Sequence, residues 1–214
     1  MDNITLNILV LVGFALVGGL IFYLVRQKSA ADEQAILQLA TEKGWKVEFI
    51  REPLLWGQRL ISPRWTLESL SRASGKQTGP GSSDISMLTV WQANIPGATI
   101  LIGERQSQAD LGTFGEMLMR QVLQQALGAD ADGLTEAKAG SEAFQQKYML
   151  WAQKPEDVRI TSSIEAALLN WKGNKPLIRR TSEGLSIEQQ GVQIKTRSEF
   201  EQIINLGEML SKIF

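Results

Sequence analysis

The run Ile8-Leu-Val-Leu-Val-Gly-Phe-Ala-Leu-Val-Gly-Gly-Leu-Ile-Phe-Tyr-Leu-Val25, followed at once by Arg26 and Lys28, divides the chain into an apolar head and a mixed body. It holds no charge and no strongly polar side chain, and Ile4 and Leu6 extend it. At about 1.5 Å rise per residue, a helix of this length nearly crosses a hydrocarbon core of roughly 30 Å. A cleaved signal peptide carries a basic n-region, a shorter apolar core and a small-residue cleavage site. Here only Met1, Asp2 and Asn3 precede the first apolar residues. The reading is a retained single transmembrane helix, residues 4–28.

The flanks orient it. The distal side carries Asp2 and no basic residue, the proximal side Arg26 and Lys28, and Lys and Arg are retained on the cytoplasmic side. The expected location is therefore the inner (cytoplasmic) membrane, with the body in the cytoplasm. Tyr23, at the basic end, suits headgroup depth, where aromatic rings concentrate. Ala15 and Gly19 form a small-x-x-x-small pair, with Gly13 and Gly18 nearby. Small residues let a second helix backbone approach in lipid, so these four form a candidate helix-packing face. The general abundance of Gly in membrane helices explains them equally well.

Working outward, residues 29–214 are enough for one sizeable domain or two small ones, and the formal net charge of the chain is -1. No basic stripe with interleaved aromatics occurs; the densest cationic cluster is Arg179-Arg180, so nucleic acid is not an expected partner. The chain has neither Cys nor His. Disulfides, thiol chemistry, Ser-His-Asp and Cys-His catalysis, ordinary zinc sites and iron–sulfur ligation are thereby excluded from this polypeptide alone. Carboxylate, lysine and Mg or Ca chemistry survive.

Ser29 to Gly44 reads as a helix that starts with Ser29 and Asp32, places Ile36, Leu39 and Ala40 on one face, and continues the membrane helix or follows it. Lys46 to Phe49 and Trp65 to Glu68 alternate as antiparallel strands, with Trp56-Gly57 in a turn within the Pro53 to Pro63 stretch. The Gly, Ser, Lys, Gln and Pro composition around Gly79-Pro80-Gly81 predicts a mobile loop over 71–85. Ser86 to Ala93 and Ala98 to Gly103 are two further strands, and Ser107 with Asp110 opens a helix closing near Gly128. The stretch after Gly128 is an internal boundary. Beyond it come a strand at Lys147 to Ala152, a helix capped by Ser162 and Glu165, a hairpin of Leu185 and Ile187 against Val192 and Ile194 around Gln189-Gln190-Gly191, and a last helix opened by Ser198 and Glu201.

The order Phe144 to Trp151, Pro155 to Trp171, the 185–194 hairpin and a terminal apolar helix with Ile203-Ile204-Asn205-Leu206-Gly207 resembles uncharacterised bacterial membrane-anchored proteins that carry a domain of unknown function. The resemblance covers about the last third of the chain. It implies an α+β membrane-associated protein and brings no catalytic motif.

Candidate chemistry is sparse. Asp130-Ala-Asp132-Gly133 with Glu136 and Glu142 looks superficially like a calcium loop, but the EF-hand positions that need Gly and a bidentate acid are Thr135 and Ser141. Glu156 and Asp157 precede the Ser162 helix and suit its dipole better than acid–base work. Gly103, Gly112 and Gly115 are too widely spaced for a nucleotide cradle. Of the six tryptophans, Trp45, Trp65, Trp91, Trp151 and Trp171 read as core, while Trp56 is the one expected to meet a partner or lipid.

The expectation is thus α+β: a single transmembrane helix (4–28) followed by an antiparallel-sheet domain with peripheral helices, in two similar subdomains (29–128 and 142–214) or in one sheet. No catalytic, cofactor or metal residues are assigned. Tyr23, Arg26, Lys28 and Trp56 are candidate partner or membrane contacts. The expected task is non-catalytic: an accessory or assembly subunit of a membrane protein complex. The alternative is a membrane-tethered module for a lipid or small ligand, with the 71–85 loop as a lid.

Overall fold

The structure, a computed structural model, describes residues 3–77, 83–105 and 131–214, and within them the side chains of 3–13, 15, 25, 75–77, 83 and 157 lie outside the description. It is α+β, built on one antiparallel sheet of nine strands. Helix α1 (Asn3–Lys43) is continuous through Ser29, so the apolar run and the first amphipathic segment form one rod. Ser29 and Asp32 do not restart it, because no break in helical backbone requires a new cap there. Gly44, at φ +69°, ends it and turns the chain into the sheet. Much of the Ile8–Val25 run falls among the side chains outside the description; among the described residues, no helix is long and apolar enough to cross a membrane.

Strands β1 (Lys46–Glu52), β2 (Leu55–Ile61), β3 (Trp65–Gln77) and β4 (Ser83–Ala93) form a meander. Strands β5 (Ile100–Glu104), β6 (Thr135–Glu136), β7 (Tyr148–Ala152), β8 (Leu177–Thr181) and β9 (Gly184–Gln190) complete the order β1-β2-β3-β4-β9-β8-β5-β7-β6. The two groups of strands therefore share one sheet: β9 pairs with β4, and β5 lies between β8 and β7. Helices α2 (Glu142–Lys147), α3 (Ser162–Leu169) and α4 (Arg197–Leu210) join the C-terminal part of α1 on one face.

The core lies between that face and the helices. Leu60, Trp65, Leu67, Trp91, Ile102, Leu150, Ile178 and Ile187 point inward from the strands, and Ile36, Leu39, Ile164, Leu168, Phe200, Ile203 and Leu210 meet them from the helices. Period-two alternation on the strands and 3.6-residue spacing on the helices put these residues on one side of each element. Trp45, Trp65 and Trp91 pack in a row, with ring centroids 4.7 and 6.3 Å apart.

Several local expectations are corrected. Trp56 and Gly57 lie inside β2, paired with Arg51 and Ile50, and the turn is Pro53-Leu54. Gly57, at φ +150°, marks a close backbone approach: a Cβ there would strike the Ser69 carbonyl. Residues 71–77 and 83–85 are strand rather than loop, because each main chain finds ladder partners in the other; residues 78–82 lie outside the description. The hairpin near the C-terminus is β8–β9, turning before Gly184, while Val192 to Ile194 does not pair back. Helix caps fall earlier than expected, at Thr161 and Thr196. The helix expected over 107–128, with Gly112 and Gly115, lies outside the described residues.

Candidate functional site

Because β1 runs antiparallel to the C-terminal part of α1, following β1 from Lys46 to Glu52 leads back along the helix toward the apolar run. Arg51 reaches Glu33 at 2.8 Å. The β1–β2 turn thus lies at the sheet end nearest the apolar segment of α1, and a groove of about 590 Å3 opens there between α1, the first hairpin and the start of α4. Lys28, Ser29, Asp32 and Glu33 line it from α1, Arg51, Trp56 and Gln58 from the sheet, and Lys195, Thr196 and Glu199 from the entry to α4.

The floor is made by a segment crossing the inner face of the sheet. After Gly191 turns the chain at φ +72°, residues 192–194 run over β2, β3 and β4 and hydrogen-bond to buried side chains. Ser69 Oγ accepts from the Ile194 amide at 2.9 Å, Thr89 Oγ1 donates to the Val192 carbonyl at 2.9 Å, and Gln58 Nε2 donates to the Ile194 carbonyl at 3.3 Å. This accounts for polar residues on a core-facing surface: each satisfies a backbone group that no neighbouring strand serves. The Gln58 amide is oriented by chemistry, since the Ile194 carbonyl can only accept. Among the described residues its Oε1 finds no donor, and it is buried on a residue only 8 % exposed; a buried acceptor without a partner is costly.

Thr196 and Glu199 close the groove as a capping box. Glu199 accepts from the Lys195 and Thr196 amides, both at 2.9 Å, and from Thr196 Oγ1 at 2.8 Å. Burial pushes its carboxyl up, but the three hydrogen bonds outweigh that and hold it below the ordinary carboxylate value. On the opposite side of α4, Arg197 bridges Glu42 of α1 at 2.9 Å and Glu201 at 2.9 Å. Hydrogen bonding to Arg197 lowers the Glu42 carboxyl. The groove is a mixed surface of three cations, three carboxylates and an indole, suited to a ligand that carries charge of each sign beside an apolar part; the Gln58 oxygen lies beneath that surface.

Lys28 and Trp56, singled out from sequence, are brought together here, with Trp56 half-buried. Tyr23 and Arg26 are exposed on α1 just before the groove. A Cβ on Gly18 or Gly19 would meet nothing within 4 Å, while the side chains of Gly13 and Ala15 lie outside the description. Asp130 also lies outside it. Asp132 and Gly133 sit in a turn, Glu136 pairs with Arg105 at 2.5 Å, and Glu142 occupies the first turn of α2. Glu156 is exposed in the short 3-10 turn Pro155–Asp157, and Thr161 rather than either acid caps α3.

Sequence reasoning missed Gln58, Glu199 and the Arg51–Glu33 pair. One signal for Gln58 was present: it falls on the inward alternation of Trp56, Gln58 and Leu60, where a polar residue breaks the pattern. A second cavity, about 480 Å3, lies at the other end of the sheet between the Ser62–Thr66 turn and the β8–β9 hairpin, with Arg64 and Glu183 in its wall. Comparison of the chain with protein-family models, with curated proteins and with solved structures finds no match in any of the three.

Proposed function

We propose that this protein is a single-pass, membrane-anchored accessory or assembly subunit of a bacterial membrane protein complex, non-catalytic, with its α+β domain held on the cytoplasmic side. One observation carries the reading. Phe14, Leu16, Val17, Leu20, Ile21, Phe22, Tyr23 and Leu24 of α1 are each between 53 and 74 % exposed, and at 100° per residue they cover every side of the helix. An apolar helix bare on one side rests on a surface; one bare all round needs an apolar medium or a sheath of other helices. Arg26 and Lys28 favour a cytoplasmic domain, and Gly18 and Gly19, with open space beside them, favour a second helix.

The test is mild-detergent purification of the tagged full-length chain from its native membrane, with mass spectrometry of what is retained. A stoichiometric set of membrane proteins is expected. A lone monomer, together with intact membrane complexes in a deletion strain, sinks the reading.

A second reading, a membrane-tethered module for a lipid or small ligand, is favoured by the groove at Trp56, where charged side chains of both signs surround an indole. Under that reading the purified protein carries a lipid or metabolite that Trp56→Ala releases. A chain free of small molecules in native mass spectra removes it.

A further inference from the structure

The β3–β4 hairpin outruns the rest of the sheet. Leu55 pairs with Arg72, and the Ala73 amide donates to the Leu54 carbonyl at the β1–β2 turn. Beyond that level the hairpin continues through the Ala73–Ile85 and Gln77–Ser83 pairs, and among the described residues no strand lies beside β3 there. It projects in the direction in which α1 returns to its apolar run, since Lys28 of α1 and Trp56 of β2 share one groove.

The lengths decide where it ends. Between the Ala73–Ile85 and Gln77–Ser83 pairs β4 advances two residues, about 7 Å at roughly 3.3 Å per residue, while β3 spends four because its register shifts there. From Lys28 back to Val25, the end of the apolar run, the helix advances only about 4.5 Å. With α1 upright in a bilayer, the overhang from the Ala73–Ile85 pair to the Gln77–Ser83 pair therefore spans the headgroup depth just outside the apolar run.

Its two faces differ. Ala73, Ile85 and Met87 share the face that elsewhere forms the core, while Arg72, Asp84 and Ser86 alternate with them on the other. At the Ser71–Met87 pair the core-facing side begins to open: Ser71 is still buried, but Met87 is 37 % exposed, Ile85 beyond it 49 % and the neighbouring Leu54 52 %. On the other face Leu88 is 42 % exposed, but it stands back from the overhang, level with Leu70; scattered single apolar residues need no explanation, whereas a strip on one face beside an apolar helix does.

We propose that the β3–β4 hairpin is a second membrane contact, with Leu54, Ile85 and Met87 seated in the bilayer interface beside α1. The proposal rests on α1 being the anchor. It adds what the anchor alone cannot supply: two separated points of contact fix the tilt of the domain over the bilayer, and with it the height at which the groove at Lys28 and Trp56 opens.

The absence of cysteine from the chain permits single spin labels without background. Ile85→Cys, Ser86→Cys and Leu20→Cys are each labelled in the full-length protein and reconstituted into nanodiscs of mixed zwitterionic and anionic phospholipid. Collisions with oxygen, which partitions into lipid, are then compared with collisions with a water-soluble nickel chelate. The expected result is an oxygen-to-nickel ratio severalfold higher at position 85 than at position 86, and highest at position 20. Lipid exposure at 20 with position 85 as aqueous as 86 overturns the hairpin contact and leaves the anchor standing. Aqueous exposure at 20 overturns the anchor itself. Exclusion of both reagents from 85 assigns the strip to a protein contact and also overturns the proposal.

Discussion

Gly207 shows how closely one residue decides the packing of α4 on the sheet. A Cβ at this position would overlap the Cε2, Cδ2 and Cζ2 atoms of Trp91, a side chain with no exposed surface. On an isolated helix Gly to Ala is worth about 1 kcal/mol in favour of Ala. Here the extra methyl must push the indole into close-packed neighbours or lift α4, and overpacking of this kind costs about 1–3 kcal/mol. Gly207→Ala is therefore expected to lower the denaturant midpoint, read by chemical unfolding of the detergent-solubilised protein; an unchanged or raised midpoint refutes the close contact. Tyr148 is the second such residue. Its hydroxyl donates to the Leu168 carbonyl at 2.8 Å, and burial first, then the negative charge of Glu104, pushes the phenol up to about 12. In the unfolded chain it titrates near 10. The folded state thus keeps its proton when the unfolded state loses it, and this contribution to stability is full below about pH 10 and declines as pH rises toward 12. Tyr148→Phe should show a lower starting stability, by about 1 kcal/mol for the lost hydrogen bond, and a flatter alkaline decline in the same unfolding measurement.

At the scale of elements, the entry to α4 carries the sharpest expectation. Thr196 and Glu199 cap it reciprocally, and loss of such a cap costs about 1 kcal/mol. Because the folded Glu199 carboxyl is held below its ordinary value, its contribution is full above the unfolded carboxylate range and is lost as pH falls through the folded value. Glu199→Gln should therefore reduce stability at neutral pH and shrink the difference from the parent chain as the solution is acidified, followed by thermal unfolding across an acid series. A constant difference would show that the carboxylate charge plays no part. The sequence was legible where one pattern competed with no other: Ile36, Leu39 and Ala40 on α1, β1, β7, and the apolar face of α4 all stand where spacing predicts. It was ambiguous where two signals overlapped. Thr196-x-x-Glu199 and Ser198-x-x-Glu201 both spell a capping box, and only the docking of Ile194 under Ser69 selects the first, leaving Glu201 to bridge Arg197. Gly191 does make its turn, but Val192 to Ile194 alternates because it lies across the core face, not because it pairs as a strand. Of the groove, Lys28 and Trp56 were readable from charge and hydrophobicity; Gln58 and Glu199 were not, since their roles depend on a segment more than 100 residues away for Gln58 and on a choice between two caps for Glu199.

For the whole molecule, strand order was the least legible property, because pairing partners are set by long-range burial and no local pattern encodes them. A boundary after Gly128 is a sensible reading of composition, yet the sheet takes β9 from the C-terminal part and places it against β4, then seats β5 from the N-terminal part between β8 and β7. Each part therefore lacks the strands that flank its own. Residues 142–214 without β4, β5 and β6 would expose one edge each of β9 and β8 and both edges of β7, together with the inward faces of Ile178, Leu185 and Ile187. Residues 29–128 without β7, β8 and β9 would leave one edge of β4 and both edges of β5 unpaired, and Trp91 without α4 over it. Unpaired inner edges and uncovered apolar faces do not persist in water, since the ordering entropy of about 1–2 kcal/mol per residue is then not offset by burial. Residues 29–105 and 131–214 are thus expected to unfold as a single cooperative unit, with β4–β9 and β5–β8 contacts formed late because they close the longest loops. Expressed alone, 29–128 and 142–214 should each give collapsed amide proton dispersion in NMR spectra, while a mixture of the two regains dispersion if the paired edges can find each other. Independent folding of either half would show that the interleaved sheet is not what holds the molecule together, and that its two groups of strands are self-sufficient units that merely adjoin.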